Sequence, residues 1–342
     1  DTSVTGVQTC ALPIWRANVK AIHMTDVGGP EVLATVDMPT PVPGDHEVRV
    51  RLHAAGVNPI DTKLRSRGMF FDNALPAVPG CDGAGTVETV GKRVTSLQPG
   101  DEVWLCHGGL GREQGNYAEF TVVNERIARK KPASLGFEQA AAAPLILITA
   151  WEALFDRAGL KAGQTVLIHG GAGGVGHVAI QLASNAGASV CTTVGSEENA
   201  RFALSLGADH VIDYRHVDFV EAVLEWTQGR GVDVALDIMA GRIFQDTLRA
   251  MAHYGSLITL LDPGPDILWN EARKRNVRIG FELMLTPMLE DLPEARAHQG
   301  EILDHCAALA DAGKLTIEVS QSLPLEQAAS AHQQIETGHT RG

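Results

Sequence analysis

A glycine-rich segment offers the clearest chemistry in the sequence. It reads His169-Gly-Gly-Ala-Gly-Gly-Val-Gly176, follows the apolar run 165–168 and precedes a helical pattern. Glycines at the spacing G-x-G-x-x-G let backbone amides approach a pyrophosphate, and the N-terminus of the next helix adds partial positive charge. The context predicts a dinucleotide site rather than a purely structural turn. The residues predicted to bind the pyrophosphate are Gly171, Gly173, Gly174, Val175 and Gly176.

The end of the next predicted strand distinguishes NAD from NADP, because an acidic residue there binds the ribose hydroxyls and repels a 2′-phosphate. No carboxylate occupies this strand end, where the chain continues with Gly195 and Ser196. These two small residues leave room for a phosphate, and Arg201 and Arg215 can supply positive charge. Ser196 can also serve as a helix N-cap. The segment therefore favours NADP(H).

Strands and helices alternate in the second half of the chain. Helical patterns over 175–186, 197–206 and 244–251 separate apolar runs, and such alternation requires right-handed crossovers between parallel strands. The predicted strands cover residues 165–168, 189–194, 210–212, 232–236 and 256–261. The pattern predicts a Rossmann-type, doubly wound parallel sheet, so the fold class is α/β.

The first part of the chain, residues 19–123, has a different pattern, with short β-like runs separated by turns. Residues 48–52 alternate apolar and charged side chains, and 83–90 and 102–105 are further strand candidates. Several short strands close together predict a small barrel or sandwich. In the tail, 290–312 and 325–335 are predicted helices and 315–319 a β segment. We expect this tail to pack back against the first domain.

Composition narrows the class of protein. The 342 residues are enough for two domains, and the formal net charge of −13 makes nucleic acid an improbable partner. No apolar run approaches the roughly 18 residues of a membrane span. The five cysteines form no Cys-x-x-Cys pair, which indicates reduced thiols and a cytoplasmic protein. Residues 1–17 are a poor signal peptide and are expected to be a non-native or disordered arm.

Several co-linear motifs carry a family resemblance. They are Gly28-Gly-Pro-Glu-Val-Leu33, Ala54-Ala-Gly-Val-Asn-Pro-Ile-Asp-Thr62, Pro79-Gly-Cys-Asp-Gly-Ala-Gly85, Pro99-Gly-Asp-Glu-Val103, Gly115-Asn-Tyr-Ala-Glu119, Leu147-Ile-Thr-Ala-Trp-Glu-Ala-Leu154 and the glycine-rich segment. With these motifs, the chain from about residue 19 onward resembles the medium-chain dehydrogenase/reductase superfamily, in its zinc-free quinone oxidoreductase (zeta-crystallin-like) branch.

The resemblance implies a two-domain architecture with the cofactor in the cleft between the domains, and usually a homodimer. A GroES-like, β-rich catalytic domain would span 18–142 and a Rossmann dinucleotide-binding domain 143–283. A C-terminal segment, 284–342, would return to the catalytic domain.

Zinc-dependent relatives take their catalytic ligands from three positions, which the resemblance places at Asn58, Cys81 and Leu145. Asparagine and leucine cannot provide the nitrogen and sulfur ligands of a zinc site. The four-cysteine structural zinc lobe of those relatives also has no counterpart. A different metal site, from Cys81 with Cys106 and His107, is the less favoured alternative. We therefore expect no metal.

Without a metal, hydride transfer suits quinones and activated alkenes such as enones and enals, because their distal oxygen can be stabilised by hydrogen-bond donors. The catalytic candidates are Asn58, Asp61 and Lys63. Asp61 can instead be a loop cap, and Lys63 a solvated surface residue. By resemblance, Asn58, Thr149, Tyr214 and Arg215 would also contact the coenzyme. Two positions depart from the family: Asn199 replaces a common lysine, and bulky residues follow Asp237.

The sequence thus favours an NADPH-dependent reductase that acts on a small quinone or enone, with no nucleic acid or membrane as partner. Two alternatives stay open. One is a zinc-independent alcohol or aldehyde dehydrogenase. The other is a non-catalytic NADPH-binding protein of the crystallin type.

Overall fold

A computed structural model describes residues 18–338 and 340–342 of the protein. The expectation for residues 1–17 lies outside these described residues and stays a prediction. In the described part of the chain, no helix is both long and apolar enough to cross a membrane.

The first part of the chain forms antiparallel sheets. Strands β1 (Asn18–Met24) and β2 (Leu33–Pro39) pair with each other. A five-stranded sheet has the order β6-β3-β4-β5-β7. Its strands are β3 (Glu47–Ala55), β4 (Asp82–Val90), β5 (Glu102–Cys106), β6 (Phe120–Asn124) and β7 (Arg129–Lys130). Valine and leucine side chains of β3, β4 and β5 fill its core, so the apolar positions seen in the sequence are those that the sheet buries.

One helix of this domain, α1 (Pro59–Arg67), follows β3 and has Asn58 as its N-cap residue. Its location matters for function because the three predicted catalytic residues lie on it or at its N-cap. The sequence carries the signals of a helix start here: an asparagine N-cap, a proline at the first position and Asp61 in the first turn.

The second sheet has six parallel strands in the order β10-β9-β8-β11-β12-β13. Its strands are β8 (Thr165–Ile168), β9 (Ser189–Val194), β10 (His210–Asp213), β11 (Val232–Asp237), β12 (Met251–Thr259) and β13 (Arg278–Phe281). All six strands run in the same direction, but the order in which the chain adds them to the sheet reverses between β8 and β11. Open α/β sheets bind ligands at such a topological switch point. The predicted α/β fold with a Rossmann sheet and a GroES-like β domain is confirmed.

Helices cover the sheet and connect it to the first domain. They are α2 (Phe137–Ala142), α3 (Pro144–Trp151), α4 (Gly174–Asn185), α5 (Glu197–Ser205), α6 (Phe219–Trp226), α7 (Gly241–Ala250), α8 (Asn270–Arg275), α9 (Thr286–Leu289), α10 (Pro293–Asp311) and α11 (Ala328–Glu336). In the C-terminal segment, α10 packs against α3 and β7, and α11 packs against α1. An Arg65–Glu336 ion pair joins α1 to α11.

A π-helical segment, Glu152–Arg157, continues α3 and carries a buried carboxyl group. Glu152 is 5% exposed and accepts a hydrogen bond of 3.1 Å from the amide nitrogen of Gln299 on α10. Glu282, just after β13, is also buried and pairs with Arg157 at 2.9 Å. Burial and the nearby Glu282 carboxylate raise the pKa of Glu152 to about 8. The two acids thus hold a proton at neutral pH.

Two local predictions differ from the structure. Residues 315–319 form no strand, because Gln181 on α4 satisfies the backbone of Thr316 instead. The Gln181 amide donates to the Thr316 oxygen at 2.9 Å and accepts from its nitrogen at 2.8 Å. Strand β13 has only four residues and begins with the charged Arg278. The hydrophobic pattern of the sequence did not indicate this strand.

Candidate active site

The glycine-rich loop connects β8 to α4, with Gly173 as the helix N-cap. A Cβ on Gly171 would stand 2.2 Å from the Thr192 hydroxyl oxygen, so this position has no room for a side chain. A Cβ on Gly173 would meet nothing closer than 3.4 Å. Residues 173–175 are half-exposed, and the first-turn amides of α4 have no helical acceptor. The Gly173 amide donates to the Gly170 oxygen at 3.0 Å, whereas the first-turn amides of Gly174 and Val175 can serve as donors to a pyrophosphate at this helix N-terminus.

Small and basic residues meet at the end of β9. A Cβ on Gly195 would lie 2.6 Å from the Tyr214 hydroxyl and 3.3 Å from Nε of Arg215, so both side chains close over this glycine. The Arg215 guanidinium has no acidic partner among the described residues. Ser196 accepts a hydrogen bond of 3.2 Å from the Asn199 nitrogen and is thus the N-cap of α5. This grouping places a guanidinium group beside the strand end, over a residue that has no side chain.

Arg201, unlike Arg215, has an acidic partner, and its predicted contact with the coenzyme stays a prediction. Its guanidinium pairs with Glu197 one turn earlier on α5 at 2.7 Å, and the arginine side chain is 66% exposed. Arg341, which the sequence did not single out, instead pairs with Glu198 at 2.7 Å and lies over the Phe202 ring. Residues 198 and 341 lie far apart in the sequence, so no local pattern predicts their contact.

Asp237 ends β11 at the switch point and is fully buried. Its carboxylate accepts hydrogen bonds from the backbone nitrogens of Met239 and Ala240 and, at 2.9 Å, from the Thr259 hydroxyl. Burial raises its pKa. The side chain holds its own loop in place and is directed inward.

Asn58 lies in a buried polar cluster with two aspartates. Its backbone nitrogen donates to the Asp61 carboxylate at 2.8 Å, and its side-chain nitrogen donates to the Asp82 carboxylate at 2.9 Å. Asp82 also accepts from the backbone nitrogen of Leu145, at 3.0 and 3.2 Å to its two oxygens. Burial raises the pKa of Asp82 to about 8. Sequence reasoning missed Asp82; its place in the family motif 79–85 was the available signal.

The other predicted catalytic residues follow Asn58 on α1. Asp61 is fully buried, and burial raises its pKa to about 6. Its carboxylate lies 3.3 Å from the Tyr117 hydroxyl, which is 3.2 Å from Nε2 of His332 on α11. Asp61 therefore ties α1 to the C-terminal segment. Lys63 is half-buried, with no acidic partner among the described residues. A catalytic role for either residue stays a prediction.

Helix α3 lies between Asn58 and the glycine loop. Its second residue, Leu145, contacts Asp82 as described, and the Ile146 side chain lies 3.3 Å from the point where a Cβ on Gly174 would stand. One turn later, the Thr149 hydroxyl donates to the Leu145 oxygen at 2.7 Å. The structure thus brings Asn58, Thr149 and the loop around one helix start.

The three positions that bind zinc in zinc-dependent relatives do not fit a zinc ion. The amide of Asn58 is engaged by Asp82, and Leu145 contributes only a main-chain N–H. Burial raises the pKa of the Cys81 thiol well above its ordinary value, which disfavours the thiolate that zinc needs. The Nδ1 of His107 is engaged by an Arg296 nitrogen at 2.6 Å. Within residues 18–338 and 340–342, no group of three or more His, Cys, Asp or Glu side chains could hold a metal.

A GroES-like β domain joined to a Rossmann sheet defines a two-domain dehydrogenase/reductase. Residues 44–133 match the family model of the alcohol dehydrogenase GroES-like domain, and 206–342 match that of the zinc-binding dehydrogenases. The human quinone oxidoreductase is 32% identical over 320 residues, covering 93% of this chain and 94% of that protein. The chain belongs to the medium-chain dehydrogenase/reductase superfamily, in its quinone oxidoreductase branch, as predicted.

Two solved structures extend the comparison. The Escherichia coli quinone oxidoreductase complexed with NADPH has a TM-score of 0.83 at 30% identity, covering 94% of this chain and 98% of that one. A structure described as an NAD-dependent alcohol dehydrogenase has a TM-score of 0.85 at 34% identity, with the same coverage. The fold is therefore shared by relatives described as using different substrates.

Proposed function

We propose that the protein is an NADPH-dependent reductase that transfers hydride to quinones or to electron-poor alkenes such as enones and enals, without zinc. The observation that carries the proposal is the residue set at the zinc-ligand positions, where Asn58 hydrogen-bonds to Asp82 and Leu145 contributes only its backbone. Reduced nicotinamide supplies a hydride when it is bound. Quinones and enones gain charge on an oxygen that hydrogen bonds can stabilise, whereas alcohol oxidation gains more from a Lewis acid.

The preference for NADPH is supported by the residues at the end of β9. Arg215 lies over Gly195 with Tyr214, and no acidic residue ends the strand. A guanidinium with no acidic partner among the described residues, beside a strand end without a carboxylate, is suited to a 2′-phosphate. The E. coli relative whose structure contains NADPH supports the same choice.

The remaining roles follow from position. The first-turn amides of Gly174 and Val175 would hold the pyrophosphate, and Thr149 on α3 would lie toward the nicotinamide end. Lys63, half-buried on α1, is the candidate donor to the oxygen of the acceptor.

A homodimer is also proposed: Phe281 on the edge strand β13 is 61% exposed and the nearby Leu283 is 50% exposed. A cytoplasmic location suits the four described cysteines, which are free thiols.

Steady-state assays separate the candidate functions. NADPH oxidation is followed with 1,4-benzoquinone and with an enone, and NADP⁺ reduction is followed with a primary alcohol. We expect turnover with the first two acceptors, and a higher kcat/KM with NADPH than with NADH. Turnover of the alcohol alone would establish the alternative, a zinc-independent alcohol or aldehyde dehydrogenase. That alternative is supported by the similarity to the structure described as an alcohol dehydrogenase. Binding of NADPH without any turnover would favour the crystallin-type protein.

A further inference from the structure

Asn58 occupies the N-cap of α1 but does not use its side chain as an N-cap asparagine ordinarily does. Such a side chain accepts a hydrogen bond from an amide of the first helical turn. Here the side-chain nitrogen donates across to Asp82 at 2.9 Å, and the Asp61 carboxylate accepts from the Asn58 backbone nitrogen instead. Among the described residues, no donor reaches the side-chain oxygen of Asn58, and that atom is not enclosed. The amide oxygen is therefore free to meet a ligand.

Asp82 meets the NH₂ group of the Asn58 amide. Both carboxyl oxygens accept from the Leu145 nitrogen, and the Cys106 thiol also hydrogen-bonds to the carboxyl group. The Asn58 side chain approaches this acceptor with its nitrogen, at 2.9 Å, which leaves its oxygen on the other side. Tight packing fixes the neighbourhood: a Cβ on Gly56 would lie 3.0 Å from the Asp82 Cβ and 2.4 Å from the Ala141 oxygen.

Burial of the Asp82 side chain costs hydration free energy that packing alone does not offset. The side chain is fully buried, and no lysine or arginine pairs with it among the described residues. An uncompensated buried carboxylate destabilises a folded protein unless hydrogen bonds offset the lost hydration. Its partners join two elements of the site, the start of α1 and the start of α3, and α3 contacts the glycine loop through Ile146.

We propose that Asp82 is a positioning residue, which holds the Asn58 amide so that its oxygen accepts a hydrogen bond from the nicotinamide riboside of the coenzyme. The ligand group is an O–H or N–H donor, either a ribose hydroxyl or the carboxamide. In this orientation Asn58 does not donate to the oxygen of the acceptor, so its role is to bind the coenzyme. The inference rests on the proposed function, because it requires a nicotinamide coenzyme at the start of α3.

A double-mutant cycle on coenzyme affinity tests this assignment. Calorimetry would give the Kd of NADPH for the wild type, Asp82→Asn, Asn58→Ala and the double variant. In Asp82→Asn, the new amide must use its oxygen for the Leu145 nitrogen and turn its NH₂ toward Asn58. The Asn58 amide then flips and loses its bond to the coenzyme. We expect Kd to rise about 10-fold in each single variant, the worth of one hydrogen bond.

The double variant decides between positioning and a structural role. We expect its Kd to equal that of Asn58→Ala, because Asp82 acts only through that side chain. Equal weakening by Asp82→Asn in both backgrounds would mean that Asp82 acts through α3, and the assignment would be wrong. Unchanged affinity in Asp82→Asn would also overturn it. A wild type that does not bind NADPH would instead refute the proposed function.

A crystal structure of the wild type with NADPH keeps the assignment testable if Asp82→Asn does not fold. We expect the Asn58 amide within hydrogen-bond distance of a ribose hydroxyl or of the carboxamide nitrogen. An amide in contact with neither, or with a group that can only accept, would overturn the assignment.

Discussion

The backbone oxygen of Gly170 lies 2.1 Å from the point where a Cβ on Gly176 would stand. This approach packs α4 against the end of β8 and leaves no space for any side chain. The third glycine of the motif is therefore a packing residue, whereas Gly173 faces the open side of the loop. The two positions predict different defects when alanine replaces them.

Gly176→Ala should destabilise the fold, by about 2 kcal/mol or more, because overpacking against backbone cannot be relieved by a rotamer change. Gly173→Ala should leave the thermal midpoint nearly unchanged and weaken NADPH binding at least 10-fold, since its methyl group would enter the space of the pyrophosphate. Thermal denaturation and calorimetry measure the two quantities separately. The assignment of the pyrophosphate to this loop would fail if Gly173→Ala bound NADPH as tightly as the wild type.

Arg215→Ala should reduce the preference for NADPH. Its guanidinium has no acidic partner among the described residues and closes over Gly195, where a 2′-phosphate would lie. Removing one charged hydrogen bond should raise the Kd of NADPH by about 10-fold and leave that of NADH unchanged. Arg201→Ala is the matched control, because Arg201 is engaged by Glu197. Equal losses with both coenzymes would contradict this location of the phosphate.

Glu152 should make stability depend on pH between about pH 4.5 and pH 8. Its pKa is raised from 4.5 to about 8, so the folded state binds a proton that the unfolded state has released. The contribution of this group is therefore favourable below about pH 4.5 and is lost as pH rises toward 8. Glu152→Gln should flatten this slope and should exceed the wild type in stability at pH 9, by about 2 kcal/mol. Denaturant titrations at pH 6 and pH 9 measure the difference.

Glu290→Gln is the control for that comparison, because Glu290 is exposed and forms no ion pair among the described residues. It should follow the wild-type pH profile. A wild type whose stability is constant from pH 6 to pH 9 would show that Glu152 is ionised throughout.

Chelators should not affect the reductase reaction. Asn58 and Leu145 offer no zinc ligand, so prolonged dialysis against 1,10-phenanthroline should leave kcat within twofold of its starting value. Activity that disappears on dialysis and returns with added zinc would refute metal-independent catalysis. Metal analysis of the dialysed sample supplies the matching stoichiometry.

Local patterns were enough to predict the loop and most of the parallel strands. The glycine spacing, the apolar run before it and the helical pattern after it all lie within 30 consecutive residues, and each follows from backbone and burial rules. The Asp82 contacts could not be predicted in this way, since they join Asn58 and Leu145 across 87 positions of the chain. Burial, rather than any local motif, determines which polar atoms meet there.

Residues 315–319 illustrate the opposite difficulty. Their alternation suits a strand, but a glutamine side chain on α4 occupies the hydrogen bonds that a neighbouring strand would make. Propensity describes the conformation of a segment and not its partner.

The contact between Leu145 and Asp82 has a practical consequence for engineering. Only the main-chain N–H of residue 145 takes part, so any amino acid except proline can supply the same bond. The side chain of this residue is half-buried and can be varied independently of that bond. If the proposed function holds, site saturation at position 145 should alter which acceptors are reduced while the hydrogen bond to Asp82 stays in place.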